Sequence, residues 1–137
     1  MPAIYQHHIS VTDEHIDIQG HANNLVYLRW MQDAAVAHSA AQGWDGERYR
    51  ELSAGWVVRS HFIEYQSPAF AGDTVIVRTW VPEFGKVTSI RKYRIVRDET
   101  TLAVAETNWA FIDLQRRVPK RVPTELIDDF DVVDSDD

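Results

Sequence analysis

The chain has 137 residues, which suits one domain with a core that needs no disulfide or metal staple. A hydrophobic content of 45% excludes a disordered chain, and the absence of cysteine excludes disulfides, a thiol nucleophile and thiolate metal sites, a usage that suits the cytoplasm. The net charge of −7 argues against nucleic acid as a partner, but it is unevenly spread: Glu125–Asp137 holds seven acids and no Lys or Arg, so residues 1–124 carry 14 of each sign.

The acidic stretch from about 125 reads as a solvated tail, frayed beyond about Val133. Residues 86–121 lean the other way, with nine Lys or Arg against four acids, and could receive an anion. Met1–His15 has neither a long apolar run nor a basic lead-in, so no signal peptide is expected. No stretch reaches the ~18 apolar residues of a membrane span.

In chain order, Tyr5–Thr12 reads as a strand and 13–22 as a polar loop. A helix is expected from Asn24 to Gln42, with Leu28, Met31, Ala35 and His38 on one side and many alanines that allow close approach to a sheet. Asn23 or Asn24 can cap its start, and Gly43 can close its end. Trp56–Gln66, Thr74–Val81, Val87–Arg97 and Leu102–Leu114 are rich in β-branched and aromatic residues, separated by turn-forming residues. A helical turn is possible at Thr124–Asp129. The expected class is α+β, an antiparallel five-stranded sheet around one long helix. One helix covers only one face, so a sheet edge needs a partner, and a homodimer is expected. Trp56, Phe62, Trp80 and Trp109 are candidates for the core or an interface.

The chemistry-bearing segment is Asp17-Ile18-Gln19-Gly20-His21-Ala22-Asn23-Asn24-Leu25-Val26-Tyr27. It places a carboxylate, a glycine, an imidazole and two amides just before a helix. The first helical turn has N–H groups without internal partners and a positive dipole end, suited to a developing oxyanion. A nearby ionised carboxylate can attack a carbonyl or activate water. Gly20 permits a ligand to approach the backbone. On spacing alone, Asp17 equally suits an Asx turn and Asn23 a plain helix cap.

The run resembles the 4-hydroxybenzoyl-CoA thioesterase-like branch of the hotdog superfamily, with its D-x-D-x-x-G-H-x-N-N-x-x-Y pattern between first strand and central helix. Asp17, Gly20, His21, Asn23, Asn24 and Tyr27 carry the match, and His15 replaces the first Asp. Tyr65-Gln66-Ser67-Pro68-Ala69-Phe70-Ala71-Gly72-Asp73 resembles the family's Y-x-x-P-A-x-x-G-D link. The likeness spans about Tyr5–Pro123. It implies a single hotdog domain over residues 1–137 that hydrolyses an acyl-CoA thioester. Asp17 would be nucleophile or general base, the Asn24 backbone N–H the oxyanion donor, and His21 would bond the thioester region or orient Asp17. Gln19 matches a position used in acyl-ACP thioesterases. Gly20, Asn23 and Tyr27 would complete the substrate site.

Another branch takes its carboxylate from the second long element, which here offers Glu64. Alternation places Glu64 on one strand face with Val58 and Phe62, and His61 on the other with Arg59. Thr88, Ser89, Arg91 and Lys92 follow the Phe84–Lys86 turn, where the family receives pantetheine and nucleotide. Lys86, Arg91, Lys92, Arg116, Arg117 and Lys120 are candidates for CoA phosphates. No metal and no cofactor are expected, CoA being part of the substrate. An acyl carrier protein thioester is the other candidate partner, and a dimer or tetramer is expected in the cytoplasm. Competing functions are a hotdog hydratase or dehydratase and a non-catalytic thioester-binding scaffold. The acyl group is not legible.

Overall fold

A computed structural model describes residues 3–136. Met1, Pro2 and Asp137, the ends of the stretches read above for a signal peptide and an acidic tail, lie outside them. In order, the chain forms β1 (Tyr5–Ser10), a 3-10 turn (Asp13–His15), α1 (Asn24–Ala41), α2 (Gly46–Leu52), β2 (Ala54–Tyr65), β3 (Thr74–Phe84), β4 (Thr88–Arg97), β5 (Thr100–Asp113), β6 (Val118–Pro119) and α3 (Thr124–Asp129). The strands make one antiparallel sheet in the order β1-β3-β4-β5-β2. The expected five-stranded sheet gains a sixth, two-residue strand, because β6 pairs with Ile112 and Asp113 of β5 beyond the last β4 partner, Ala110.

The long helix forms where its capping chemistry places it. Asn23 sits in extended backbone and its side chain accepts the Leu25 amide at 2.9 Å. Gly43, with φ of +95°, follows the last turn in the left-handed region that glycine tolerates. Tyr27, Trp30, Met31, Ala34, Ala35 and His38 form the buried stripe, one contact every third or fourth residue. The two alanines let the helix lie close to the sheet. Its N-terminal half rests on Val75, Val77, Tyr93, Ile95 and Leu102. A second cluster, including Trp44, Phe111, Leu126 and Phe130, packs around α2 and α3. This is the hotdog arrangement expected from the sequence. Among the described residues no helix is long and apolar enough to cross a membrane.

Three expectations change. First, α2 was not foreseen; Asp45 caps it by accepting the Arg48 amide at 2.9 Å, and Arg48 lies 3.7 Å over the Trp44 ring. Second, a register shift between Val58 and Ser60 reverses the alternation in β2. His61 therefore turns towards the core, its Nδ1 2.8 Å from the Thr107 hydroxyl, while Phe62 (63% exposed) and Glu64 lie on the outer face. The pairing of His61 with Arg59, the pairing of Glu64 with Val58, and Phe62 as core are all corrected. Third, the acidic tail is not frayed beyond Val133. The Val133 amide donates to the Val81 carbonyl (3.2 Å), and Arg94 Nε donates to Asp136 (2.8 Å), whose side chain is only 3% exposed. Arg78 and Arg94 on the sheet hold Asp136, an acid that composition alone assigned to solvent.

Candidate active site

The loop before α1 is a small hairpin built by backbone bonds. Ile16 bridges to Ala22, the Asp17 amide donates to the His21 carbonyl (3.0 Å), and the Gly20 amide donates to the Asp17 carbonyl (3.0 Å). Gly20 has φ of +86°, which explains the glycine; a Cβ there would meet nothing within the protomer. Ile18 at the tip is fully exposed.

Two further bonds fix this hairpin against the helix. The Asn23 amide donates to the His15 carbonyl (2.9 Å), and the Ala22 amide donates to the Ala69 carbonyl (2.8 Å). His15 does the work its position needs: its Nδ1 accepts the Thr12 amide at 3.0 Å, closing a capping box, and its ring meets Trp30 edge-on. An imidazole thus supplies the acceptor that a carboxylate would otherwise provide.

The Pro-Ala-x-x-Gly-Asp link is the other support. Ala69 is fully buried. Burial raises the pKa of the neighbouring Tyr27 hydroxyl, against a smaller lowering by the backbone of Ala69. Asp73 accepts the Phe70 amide (2.8 Å) and Arg97 Nη1 (2.9 Å), and both hold its carboxyl below the usual range. The second motif therefore positions the first.

Within this frame, Asp17 is half-buried and its Oδ1 accepts the Gln19 amide at 2.9 Å. This is the Asx turn, and it still leaves Oδ2 without a hydrogen bond among the described residues. Asn23 is the helix cap. The Asn24 amide, the first of the helix, donates no hydrogen bond among the described residues, and the Asn24 carbonyl accepts the Tyr65 hydroxyl at 2.9 Å. His21 is half-buried, with Nδ1 3.4 Å from the Ala22 carbonyl. Asp17, Gln19, Gly20, His21 and Asn24 are thus gathered at one helix end, whereas Tyr27 is buried in the core.

The other sequence candidates lie elsewhere. The Glu64 carboxylate accepts the Gln66 side-chain amide (3.1 Å) on the outer face. Thr88 and Lys92 are half-buried on β4. Ser89 and Arg91 face inward, and Arg91 is only 6% exposed. Arg91 cannot meet a phosphate at the surface, because strand alternation turns it into the core; that expectation is corrected. Among the described residues no three His, Cys, Asp or Glu form a metal-binding group.

Ser89 and Arg91 instead line a cavity of about 440 Å³ between the end of α1, α2 and the sheet. Its walls begin on α1 at Ala35, roughly 16 Å along the helix axis from Asn24.

Solved structures share this fold. The hypothetical protein TT1821 from Thermus thermophilus is 21% identical with a TM-score of 0.86, over 92% of this chain and 96% of that one. Slr0204, a 1,4-dihydroxy-2-naphthoyl-CoA thioesterase from Synechocystis, is 17% identical with a TM-score of 0.83, over 92% and 94%. The hypothetical protein SAV2348 from Staphylococcus aureus, solved in complex with CoA, is 17% identical with a TM-score of 0.87, over 92% and 80%. No curated protein matches the sequence. A sequence profile of the thioesterase-like superfamily matches residues 11–130, most of the chain, and the chain belongs to that superfamily.

Proposed function

We propose that this chain hydrolyses an acyl-CoA thioester, with Asp17 as the catalytic carboxylate. The observation that carries the reading is the junction itself: a carboxylate with one oxygen unengaged stands on a hairpin tied to a helix whose first amide, that of Asn24, has no acceptor. Asp17 either attacks the thioester carbonyl or takes a proton from a water that attacks it. The carbonyl oxygen gains negative charge and is met by the Asn24 N–H at the positive helix end. The C–S bond breaks and CoA leaves as a thiolate; if water attacked, the acid forms directly, and if Asp17 attacked, a water then hydrolyses the acyl–Asp17 anhydride, which frees the acid and regenerates the carboxylate. A thiol titrates near pH 8.5, so this leaving group needs little acid assistance. Gln19 and His21 flank the reacting carbon. No cofactor enters the reaction.

The site is completed by a second copy. β2 is an edge strand of 12 residues, and α1 exposes two large apolar side chains on one face, Leu25 and Val36, eleven residues or three helical turns apart. Pairing two β2 edges would cover these residues and Ile18, and bring each Asp17 loop to the partner's helix. Lys86, Arg116, Arg117 and Lys120 supply cations for the phosphates of CoA, or for the phosphate of an acyl carrier protein arm.

Thiol release from a panel of aromatic and aliphatic acyl-CoAs tests this. Hydrolysis of at least one class is expected. Tight binding of acyl-CoAs without turnover of any would overturn the enzymatic reading in favour of a scaffold.

A further inference from the structure

Arg91 is a cation without a counterion. Its Nη1 donates to Thr79 Oγ1 (3.0 Å) and to His38 Nδ1 (2.9 Å), both uncharged acceptors. The ion pairs of the described residues use Arg48, Arg78, Arg94 and Arg97, and none reaches Arg91. Neither Nε nor Nη2 holds a hydrogen bond among the described residues. Burying a guanidinium this way costs more than two neutral hydrogen bonds return. Burial also pushes its pKa down, in the direction of that cost.

The surroundings say what would offset the cost. Arg91 lines the 440 Å³ chamber, whose other walls include Ala35, Trp44, Val81, Phe84 and Phe130. Such a space takes an apolar body about the size of a substituted ring or a six-carbon chain. Arg50 also borders the chamber but is exposed to solvent, so the buried Arg91 is the cation that selects a ligand with one anionic end. A CoA phosphate is a poor occupant, since it would bring its polar nucleotide into apolar walls. The inner position of Arg91 puts the anion at the far end of the acyl group from the thioester.

We propose that Arg91 is a specificity residue, and that the chamber takes acyl groups ending in a carboxylate, so that the substrates are mono-thioesters of dicarboxylic acids. This rests on the dimeric thioesterase reading above, and it sets the partner's Asp17 loop at the chamber mouth. His38 is the positioning residue. Because arginine only donates, His38 Nδ1 must accept, so its proton sits on Nε2, 3.4 Å from the Gln42 amide group. With the Gln42 carbonyl turned to that proton, Gln42 Oε1, otherwise buried without a partner, gains a donor as well.

The test compares kcat/KM for matched pairs, adipoyl-CoA with hexanoyl-CoA and 4-carboxybenzoyl-CoA with 4-methylbenzoyl-CoA, in wild type, Arg91→Met and Arg91→Lys. Wild type is expected to favour the acid member of each pair. Arg91→Met should lower the acid-to-neutral ratio by about 10- to 100-fold, the range for a hydrogen bond to a charged group. Arg91→Lys should retain part of the preference. Cleavage of the neutral members with rejection of both acids would overturn the inference and leave the hydrolase reading standing. Equal losses on both members of a pair would also overturn it, since a structural arginine would act that way. If no thioester is cleaved, the hydrolase reading falls. Calorimetry with hexanoate and hexanamide then decides alone: binding of the anion that Arg91→Met abolishes supports the chamber's assignment, and no anion binding refutes it.

Discussion

The clip at Asp73 allows a quantitative prediction about what holds the loop. Asp73 joins Arg97 at 2.9 Å and the Phe70 amide at 2.8 Å, with side chains 22% and 27% exposed for Asp73 and Arg97. Asp73→Asn keeps an oxygen for the Phe70 amide and removes the charge from Arg97. A fully exposed pair would be worth at most about 1 kcal/mol, and a hydrogen-bonded charge about 1.5–3 kcal/mol. Partial exposure places this pair near 1–1.5 kcal/mol, or roughly 3–6 °C in Tm for a chain of this size. The pH dependence follows from the direction of the shift. The folded-state pKa is lowered, first by the Phe70 amide and also by Arg97. The stabilisation is therefore present above the unfolded value, about 3.9, and is lost as pH falls through the lower folded value. Thermal unfolding of both proteins from pH 7 to pH 2.5 should show a gap that closes at the acid end. A gap of the same size at both ends would show that the clip does not act through charge.

Other consequences are as direct. Gly20→Ala introduces a side chain at φ +86° in open space, so it should cost about 1 kcal/mol of strain, felt as lower kcat with a small change in Tm. Asp136→Asn weakens the bond from Arg94 and should lower Tm by a few degrees, whereas a frayed tail would show no change. Met31→Ala, at a fully buried core position, should cost about 2–5 kcal/mol in urea unfolding. Mixing Asp17→Asn with Arg91→Met subunits should restore cleavage of a dicarboxylic thioester, because one of the two shared sites regains both residues; failure of wild-type subunits to form dimers in light scattering would refute that arrangement.

Much of the frame was legible because its causes are local. A cap at Asn23, a glycine at 43 and a periodic apolar stripe define α1 within a residue or two. The four long strands stand out because β-branched residues fill them. Errors arose where one residue alters a pattern. The bulge at Val58/Ser60 reverses which side chains of β2 face inward, and alternation cannot show it. In β3, the pairing breaks between Trp80 and Glu83, where Pro82 lacks an amide, yet the strand continues to Phe84. The seven residues of α2 are too short for a periodic signal, although Asp45 before Gly46-Glu47 was a readable cap. At the site, motif residues identified the loop and the helix end. The chamber was not legible, because Arg91 counted as one more surface cation until strand pairing showed its side.

The most direct test of the account is single-turnover thiol release by Asp17→Asn with a thioester that wild type cleaves well. Asparagine can still accept the Gln19 amide, so the hairpin and Tm should persist. The rate is expected to fall by about 100- to 10,000-fold, the scale of a lost general base. A folded variant within about threefold of wild type would contradict the assignment of Asp17, since such a variant loses less than the smallest contribution a general base makes.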